Sequence, residues 1–140
     1  INSLTTFLLG SVESIIPENF YHQPGGAGDD MVPGYYAIGI RAYTSSISAV
    51  APKLSVKLHE LGAAGESTAL NQLVNDHVVP LYALRTKRKG YEVSAMKAML
   101  DMLGLGGGIV RPPLVEVAEA ERAELQTILD GWRSAGFLDD

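Results

Sequence analysis

Apolar residues follow two different spacings along the chain. Two short runs, Leu4 to Val12 and Arg41 to Pro52, are rich in β-branched or small residues and are bounded by glycine or proline, which predicts two strands. Beyond residue 52, apolar residues recur every three or four positions, which predicts amphipathic helices. The predicted order is therefore a strand, a long loop, a second strand and then three or four helices.

The helical spacing divides residues 52–140 into segments with recognisable ends. The first apolar stripe stops at Gly62, and Ser67 is a suitable N-cap for the next helix. Pro80 lies inside that second helix and should kink it, because proline has no amide hydrogen and clashes with the preceding turn. The predicted apolar stripes comprise Leu54, Leu58 and Leu61, then Leu70, Leu73, Val74, His77, Val78, Leu81 and Leu84, then Met96, Met99, Leu100 and Leu103, and finally Leu125, Ile128, Leu129 and Trp132.

A long loop separates the two predicted strands. Residues 17–34 contain three prolines and four glycines, which exclude regular structure over most of the segment. Two acids in this loop, Asp29 and Asp30, are candidate cation ligands, but carboxylates in a glycine-rich loop are more often solvated, and we expect solvation. The next residues, 35–40, either close a short helix or begin the second strand. The pattern leaves the role of the loop open.

The composition is that of a folded, mildly acidic domain. The 140 residues are 46% hydrophobic and 19% charged, and the formal net charge is −5. Because the basic residues are scattered, a nucleic-acid partner is not expected. No apolar run approaches the roughly 20 residues that span a bilayer, so a membrane partner is not expected either.

The residue types that are missing exclude further classes of site. The chain has no cysteine, which excludes disulfides, thiolate metal sites and a cysteine nucleophile and is compatible with a cytoplasmic location. The first residues carry no basic segment of the kind that opens a signal peptide. The sequence also begins without an initiator methionine, and we expect it to start in the interior of a longer protein.

Residues 87–114 contain two features that resemble chemical sites. A phosphate cradle requires glycines between a strand and a helix, whereas Gly104 and residues 106–108 follow a predicted helix, so we expect a turn that ends that helix. Lys97 would need burial or a neighbouring cation to become a reactive amine. It flanks the apolar stripe and can keep its ammonium group in water, so we expect both features to be structural.

A cluster of hydroxyl groups occupies residues 43–46, with the sequence Tyr-Thr-Ser-Ser. At the carboxyl end of a barrel strand such side chains would point into a substrate pocket, whereas an ordinary polar edge strand explains the spacing equally well. The histidines, His22, His59 and His77, include no pair spaced four apart, so no metal site is predicted. His77 falls on an apolar stripe and is expected to be partly buried.

Residues 80–114 resemble the C-terminal region of the dihydrodipicolinate synthase/N-acetylneuraminate lyase superfamily. Within it, they are most similar to the 5-dehydro-4-deoxyglucarate dehydratases. The positions that carry the resemblance are Arg85, Gly90, Tyr91, Val93, Ser94, Lys97, Ala98, Val110, Arg111, Pro113 and Leu114. Upstream, residues 7–12 look like the seventh strand of the family's barrel and residues 42–52 like the eighth, with an apparent insertion near residues 14–28.

The resemblance implies that the whole fold is of the α/β class. The part of it in this chain would be mostly helical. Residues 1–62 would form the last two strands of a (β/α)8 TIM barrel with their loops and helix, and residues 63–140 would form a C-terminal helical bundle. Because a whole barrel takes about 250 residues, barrel strands one to six would lie outside this chain. The family's Schiff-base lysine is on the sixth strand, so no catalytic residue is expected here, and Lys97 is not that lysine.

By the same resemblance, the intact enzyme would dehydrate and decarboxylate 5-dehydro-4-deoxy-D-glucarate to 2,5-dioxopentanoate. The reaction would pass through a Schiff base and use no metal or organic cofactor. The family's substrate-binding positions map onto Gly10, Ser11, Thr44 and Ser45. The implied partners are a sugar-acid or 2-keto acid substrate, the missing barrel strands, and further copies of the protein in a homo-oligomer.

Two alternatives stay open. Ala49 and Val50 stand where the family has an asparagine and an aromatic residue, which allows another 2-keto acid aldolase or dehydratase of the same superfamily. A degenerate, non-catalytic helical interaction module is the alternative from a different functional class.

Overall fold

The computed structural model describes residues 28–139, and this part of the chain is mostly helical. The predicted strand Leu4 to Val12 and the apparent insertion lie outside the described residues. None of the described helices is long and apolar enough to cross a bilayer. The elements are a 3₁₀ turn Asp29–Met31, α1 Val32–Ala37, a 3₁₀ turn Ile47–Ala49, α2 Pro52–Ala64, α3 Ser67–Leu73, a π-helical turn Val74–Val78, α4 Val79–Arg85, α5 Tyr91–Met102 and α6 Glu119–Ser134.

No strand forms from Arg41 to Pro52 in the described structure, although the sequence predicts one. Residues 40–45 have no regular structure, and a 3₁₀ turn at Ile47–Ala49 leads directly into α2. A strand requires a ladder of hydrogen bonds to a neighbouring strand, and no segment within residues 28–139 supplies one. The hydroxyl side chains instead bond to the local backbone: the amide of Ser48 donates to Ser45 Oγ at 3.0 Å.

The end of the predicted loop is helical, which corrects its C-terminal boundary. Pro33 lies in the first turn of α1, where its fixed φ suits a helix and its missing amide hydrogen costs no hydrogen bond. Val32, Tyr35 and Tyr36 are buried, so this short helix is held by its apolar side chains. Of the two outcomes that the sequence left open for residues 35–40, the short helix is the one that forms.

The sequence predicted that α2 ends at Gly62, and this prediction is wrong. The helix continues to Ala64 and ends at Gly65, which adopts a left-handed conformation with φ 74°. Gly62 instead lies where α2 meets α1, and a Cβ at this position would be 2.6 Å from the ring of Tyr36. The glycine therefore allows close packing of the two helices.

Pro80 interrupts its helix, as predicted. The helix forms a π turn over Val74–Val78 just before the proline, and the amide of Val79 donates to the carbonyl of Val74. The indole Nε1 of Trp132 in α6 donates to the carbonyl of His77 at 2.9 Å. The irregular turn is thus bonded to the last helix, and the edge of the His77 ring contacts the ring of Phe137.

Helices α4, α5 and α6 pack against one another at the C-terminal end of the chain. Leu125, Leu129 and Trp132 of the predicted α6 stripe are buried, and the acidic first turn of α6 is present. The segment between α5 and α6 is bonded to α5, because Ser94 Oγ donates to the carbonyl of Val115 at 2.6 Å. The Ser94 and Gly90 positions of the family resemblance thus have a structural role: a Cβ at Gly90 would lie 2.8 Å from the side chain of Leu114.

We predict that Gly62→Ala lowers the free energy of unfolding by about 1–3 kcal/mol, because its Cβ would overlap the Tyr36 ring. Gly131→Ala in α6 is the matched control, since its Cβ would meet no atom within 4 Å, and it should raise stability by about 0.5–1 kcal/mol. Urea denaturation of the two variants measures both effects. Stabilisation by both substitutions would contradict close packing at Gly62.

Candidate functional site

The carboxyl group of Asp29 is fully buried and lies at the centre of the candidate site. One oxygen, Oδ1, accepts a hydrogen bond from the hydroxyl of Ser45. The other, Oδ2, accepts from Tyr82 Oη at 3.2 Å, from Ser46 Oγ at 3.3 Å and weakly from the amide of Ile47 at 3.5 Å. Donors from the hydroxyl-rich segment and from α4 therefore converge on one acid.

The Ser45 hydroxyl links Asp29 to helix α2. Its Oγ lies 2.5 Å from Ser55 Oγ in α2 and accepts the amide of Ser48 at 3.0 Å. The Ser48 hydroxyl in turn donates to the carbonyl of Ser45 at 2.8 Å. Residues 43–48, which we call the hydroxyl turn, are thus closed on themselves and fastened to both Asp29 and α2.

Tyr82 and Arg85 join the network from α4. The amide of Asp29 donates to Tyr82 Oη at 2.7 Å, so the phenol bonds both the backbone and the side chain of the acid. Burial, and secondarily the charge of Asp29, raise the pKa of Tyr82 from 10.0 to about 12. The Arg85 guanidinium lies over the Tyr82 ring, 4.6 Å from its centroid, and donates to Ser46 Oγ at 3.0 Å.

Burial also acts on the neighbouring acid, Asp30. It raises the pKa of this carboxyl group, and the charge of Asp29 acts in the same direction. The predicted solvation of both acids is wrong for Asp29, because the hydroxyl turn and α4 enclose it. The sequence offers no spacing that would have brought residues 29, 45 and 82 together.

An open groove of about 340 Å³ runs beside the hydroxyl turn. Two of its lining residues contact Tyr36: Tyr36 Oη lies 2.5 Å from His59 Nδ1, and the Arg41 guanidinium lies 5.6 Å from the centroid of the Tyr36 ring. Tyr43 is partly buried and donates to the carbonyl of Ser55 at 3.1 Å. The groove is lined by Arg41, Ala42, Tyr43, Ser45, Ser48, Ser55, Val56 and His59.

The structure places the predicted substrate-binding residues in different surroundings. Thr44 is exposed, and its hydroxyl has no hydrogen-bond partner among residues 28–139. Ser45 is partly buried and bonded to Asp29 and Ser55. Gly10 and Ser11 lie outside the described residues, so their part of the prediction stays a prediction.

The glycine turn ends α5, as the sequence predicted. The glycines follow the end of α5, and no helix begins until residue 119. Gly107 lies against the backbone of α5, where a Cβ would be only 2.0 Å from the carbonyl oxygen of Lys97. The amide of Gly108 donates to Asp101 Oδ1 at 3.0 Å, so the turn bonds to a side chain of α5.

The side chains of the described residues do not form a metal centre. Within residues 28–139, no group of three or more histidine, aspartate or glutamate side chains is arranged to hold a metal ion. His59 bonds to Tyr36, and His77 is partly buried against Phe137, as its place on the apolar stripe predicted.

Comparison with known proteins identifies the family. The family model described as the dihydrodipicolinate synthetase family matches residues 8–131. This chain belongs to that family. Its fold agrees: the crystal structure of dihydrodipicolinate synthase from Oceanobacillus iheyensis superposes with a TM-score of 0.78 at 27% identity, over 92% of this chain and 43% of that one. An N-acetylneuraminate lyase from Proteus mirabilis shares the fold with a TM-score of 0.61 at 23% identity.

Two relatives with similar sequences carry the same name. A probable 5-dehydro-4-deoxyglucarate dehydratase from Leptothrix cholodnii is 35% identical over 130 residues, which are 92% of this chain and 42% of that protein. A protein of the same name from Ralstonia nicotianae is 35% identical over 95 residues, 68% of this chain and 30% of that protein. The chain therefore spans less than half the length of these relatives.

We predict that Asp29→Ala lowers the free energy of unfolding by about 2–4 kcal/mol, because it leaves buried hydroxyl groups without their acceptor. Asp130→Ala on α6 is the control: within residues 28–139 this exposed acid bonds to the neighbouring Gln126 and Arg133 of its own helix alone, and its loss should cost well under 1 kcal/mol. Urea denaturation compares the variants. Equal losses would show that the network around Asp29 contributes little to stability.

We also predict that Tyr82 makes the protein less stable in alkali. Its folded pKa of about 12 lies above the unfolded value of 10.0, so the folded state retains the phenolic proton longer. The contribution of Tyr82 is complete below about pH 10 and is lost as the pH rises through the interval up to about 12.

Urea midpoints measured across that interval test the alkaline effect. Tyr82→Phe should be less stable at neutral pH, since it loses its hydrogen bonds to Asp29, and its stability should fall less steeply in alkali. Tyr43→Phe serves as a comparison, because burial also raises the pKa of the Tyr43 phenol. Identical alkaline slopes for Tyr82→Phe and the wild type would contradict the shift at Tyr82.

Proposed function

We propose that this chain is the C-terminal portion of a Schiff-base lyase that dehydrates and decarboxylates 5-dehydro-4-deoxy-D-glucarate to 2,5-dioxopentanoate. The observation that carries the proposal is the 35% identity over 92% of the chain to a relative named for that dehydratase activity. The match to a family model over residues 8–131 supports the same reaction class.

The partial coverage of the relatives supports the barrel arrangement that we propose. The chain matches 42% of the Leptothrix protein and 43% of the Oceanobacillus structure, which suits the last two barrel strands and a helical extension of a larger fold. In this proposal residues 1–62 are the barrel portion, residues 63–140 are the extension, and barrel strands one to six are supplied from outside this chain. A homo-oligomer in the cytoplasm belongs to the same proposal.

The reacting amine in this proposal is a lysine that the chain does not contain. Lys97 is a poor candidate, because it flanks the apolar stripe of α5 and can keep its ammonium group in water. A Schiff base supplies the electron sink that the reaction needs, so the proposal includes no metal or organic cofactor. Gly10, Ser11, Thr44 and Ser45 remain the proposed substrate-binding positions.

The hydroxyl turn supports a role in holding a polar substrate. Its Ser45 and Ser48 line an open groove together with Arg41 and His59, and the adjoining Thr44 is exposed, with no hydrogen-bond partner for its hydroxyl among residues 28–139. A sugar acid presents several hydroxyl groups and carboxylates, which bind to hydroxyl and cationic side chains. We therefore propose that Thr44 lies on the path of the substrate in the assembled enzyme.

In a borohydride trapping experiment, we predict that the substrate is trapped on a lysine outside this chain and not on Lys97. The complete protein, incubated with 5-dehydro-4-deoxyglucarate and borohydride, should gain one covalent adduct by mass spectrometry. The adduct should lie outside this chain, and Lys97→Arg should leave both trapping and turnover unchanged. This chain alone should trap no adduct.

Three outcomes would count against the proposal. An adduct on Lys97 would overturn the assignment of the amine to another segment. Absence of any adduct with this and other 2-keto acids would overturn Schiff-base chemistry. Efficient trapping with a different keto acid alone would favour another aldolase or dehydratase of the superfamily.

A further inference from the structure

A second groove, of about 440 Å³, lies among the start of α2, the end of α5 and the residues that follow α6. We call it the C-terminal groove. It does not include the side chains that surround Asp29, so it is separate from the candidate site described above. The apolar side chains that line it are Val50, Met102, Leu103, Leu105, Phe137 and Leu138. A ligand with an apolar body would therefore find apolar contacts from all three elements.

The charged residues of the C-terminal groove are mainly basic. Two cations, Lys53 of α2 and Arg133 of α6, line it together with one acid, Asp139. The formal net charge of the whole chain is −5, so the excess of positive charge here is opposite in sign to that of the protein. Because the two cations exceed the acid by one charge, the groove is complementary to a ligand with a single negative charge.

The acids that now pair with these cations are held in water. Lys53 pairs with Asp139, whose side chain is 85% exposed. Arg133 donates to Asp130 at 3.0 Å, and Asp130 is also exposed and does not line the groove. Exposed ion pairs contribute little to stability because water screens them. A carboxylate whose apolar body fills the groove would displace water, so its attraction to the two cations would be stronger.

The walls of the C-terminal groove are held by backbone hydrogen bonds. The amide of Phe137 donates to the carbonyl of Trp132 at 2.9 Å. The amide of Leu105 donates to the carbonyl of Leu100 at 2.8 Å, yet the Leu105 side chain is 63% exposed. Covering an apolar side chain on a backbone that is already held gains burial energy at a small cost in ordering.

We propose that the C-terminal groove binds an amphipathic monocarboxylate, which is a carboxylate group on an apolar body. The carboxylate binds to Lys53 and Arg133, and the apolar body packs against Leu103 and Leu105. This ligand is distinct from the proposed sugar-acid substrate, which is polar along its whole length. The proposal therefore goes beyond the proposed reaction and does not depend on it.

Calorimetric titration of the complete protein with octanoate tests the role of the cations. Lys53→Gln and Arg133→Gln should each weaken binding about five- to tenfold, a change typical of losing one contact to a charged group. Lys57→Gln is the matched control and should change the affinity less than about twofold, because Lys57 is an exposed lysine of the same helix that does not line the groove. Octanol has the same chain without the charge and should bind about tenfold more weakly than octanoate.

Two further substitutions test the competing acid and the apolar wall. Asp139→Asn should tighten octanoate binding about threefold, because it releases Lys53, and a damaged fold would not produce such a gain. Leu105→Ser should weaken binding about fivefold through lost apolar contact. Ile109→Ser is its control and should leave the affinity unchanged, since Ile109 is 83% exposed and does not line the groove.

Any of five results would overturn the proposal. Octanoate could fail to bind at concentrations up to about 1 mM. Octanol could bind as tightly as octanoate, which would leave the cations without a role. Equal losses in Lys53→Gln and Lys57→Gln would mean binding through overall charge, and equal losses in the two serine variants would mean binding to apolar surface in general. Unchanged or weaker binding in Asp139→Asn would show that this acid does not compete with the ligand.

Discussion

The hydrogen bonding of one buried acid determines how the N-terminal part of the described structure is arranged. A carboxyl group removed from water is costly unless donors surround it. Asp29 has no exposed surface, and its donors come from Ser45, Ser46 and Tyr82. Because these residues are far apart in sequence, the acid can be satisfied only when the hydroxyl turn and α4 have both reached their folded positions.

This requirement explains the irregular backbone of residues 40–46. The hydroxyl groups that look like one face of a strand are needed as donors to Asp29, and the turn around Ser48 satisfies its own amide. It also accounts for the place of Tyr82, whose ring is covered by Arg85 while its hydroxyl bonds to Asp29. Hydrogen bonding of buried polar groups determines the backbone conformation of residues 40–46, whereas burial of apolar side chains stabilises helices α2 to α6.

The helices could be predicted from the sequence because their apolar stripes recur locally, and Leu54, Leu125 and Trp132 are buried as the spacing indicated. Pro80 interrupts its helix because it has no amide hydrogen, which is also a local property of the sequence. The predicted end of α2 is wrong because Gly62 allows close contact with Tyr36, a neighbour that sequence spacing does not reveal. The role of Asp29 could not be predicted either, because its hydrogen-bond donors come together only in the folded structure. The hydroxyl residues were found, but the distinction between Thr44 and Ser45 needed the hydrogen bonds.

Helix α4 is bonded to residues that precede α2. Tyr82 and Arg85 lie in α4, and they bond to Asp29 and Ser46. Helix α4 therefore contributes side chains that hold the hydroxyl turn and Asp29, in addition to covering apolar surface. Because Trp132 bonds the π turn that precedes α4, α6 in turn fixes the helix that carries Tyr82. A change in α6 has a physical route to the hydroxyl turn through the π turn, Tyr82 and Asp29, and each step of that route is a hydrogen bond or a continuous helix.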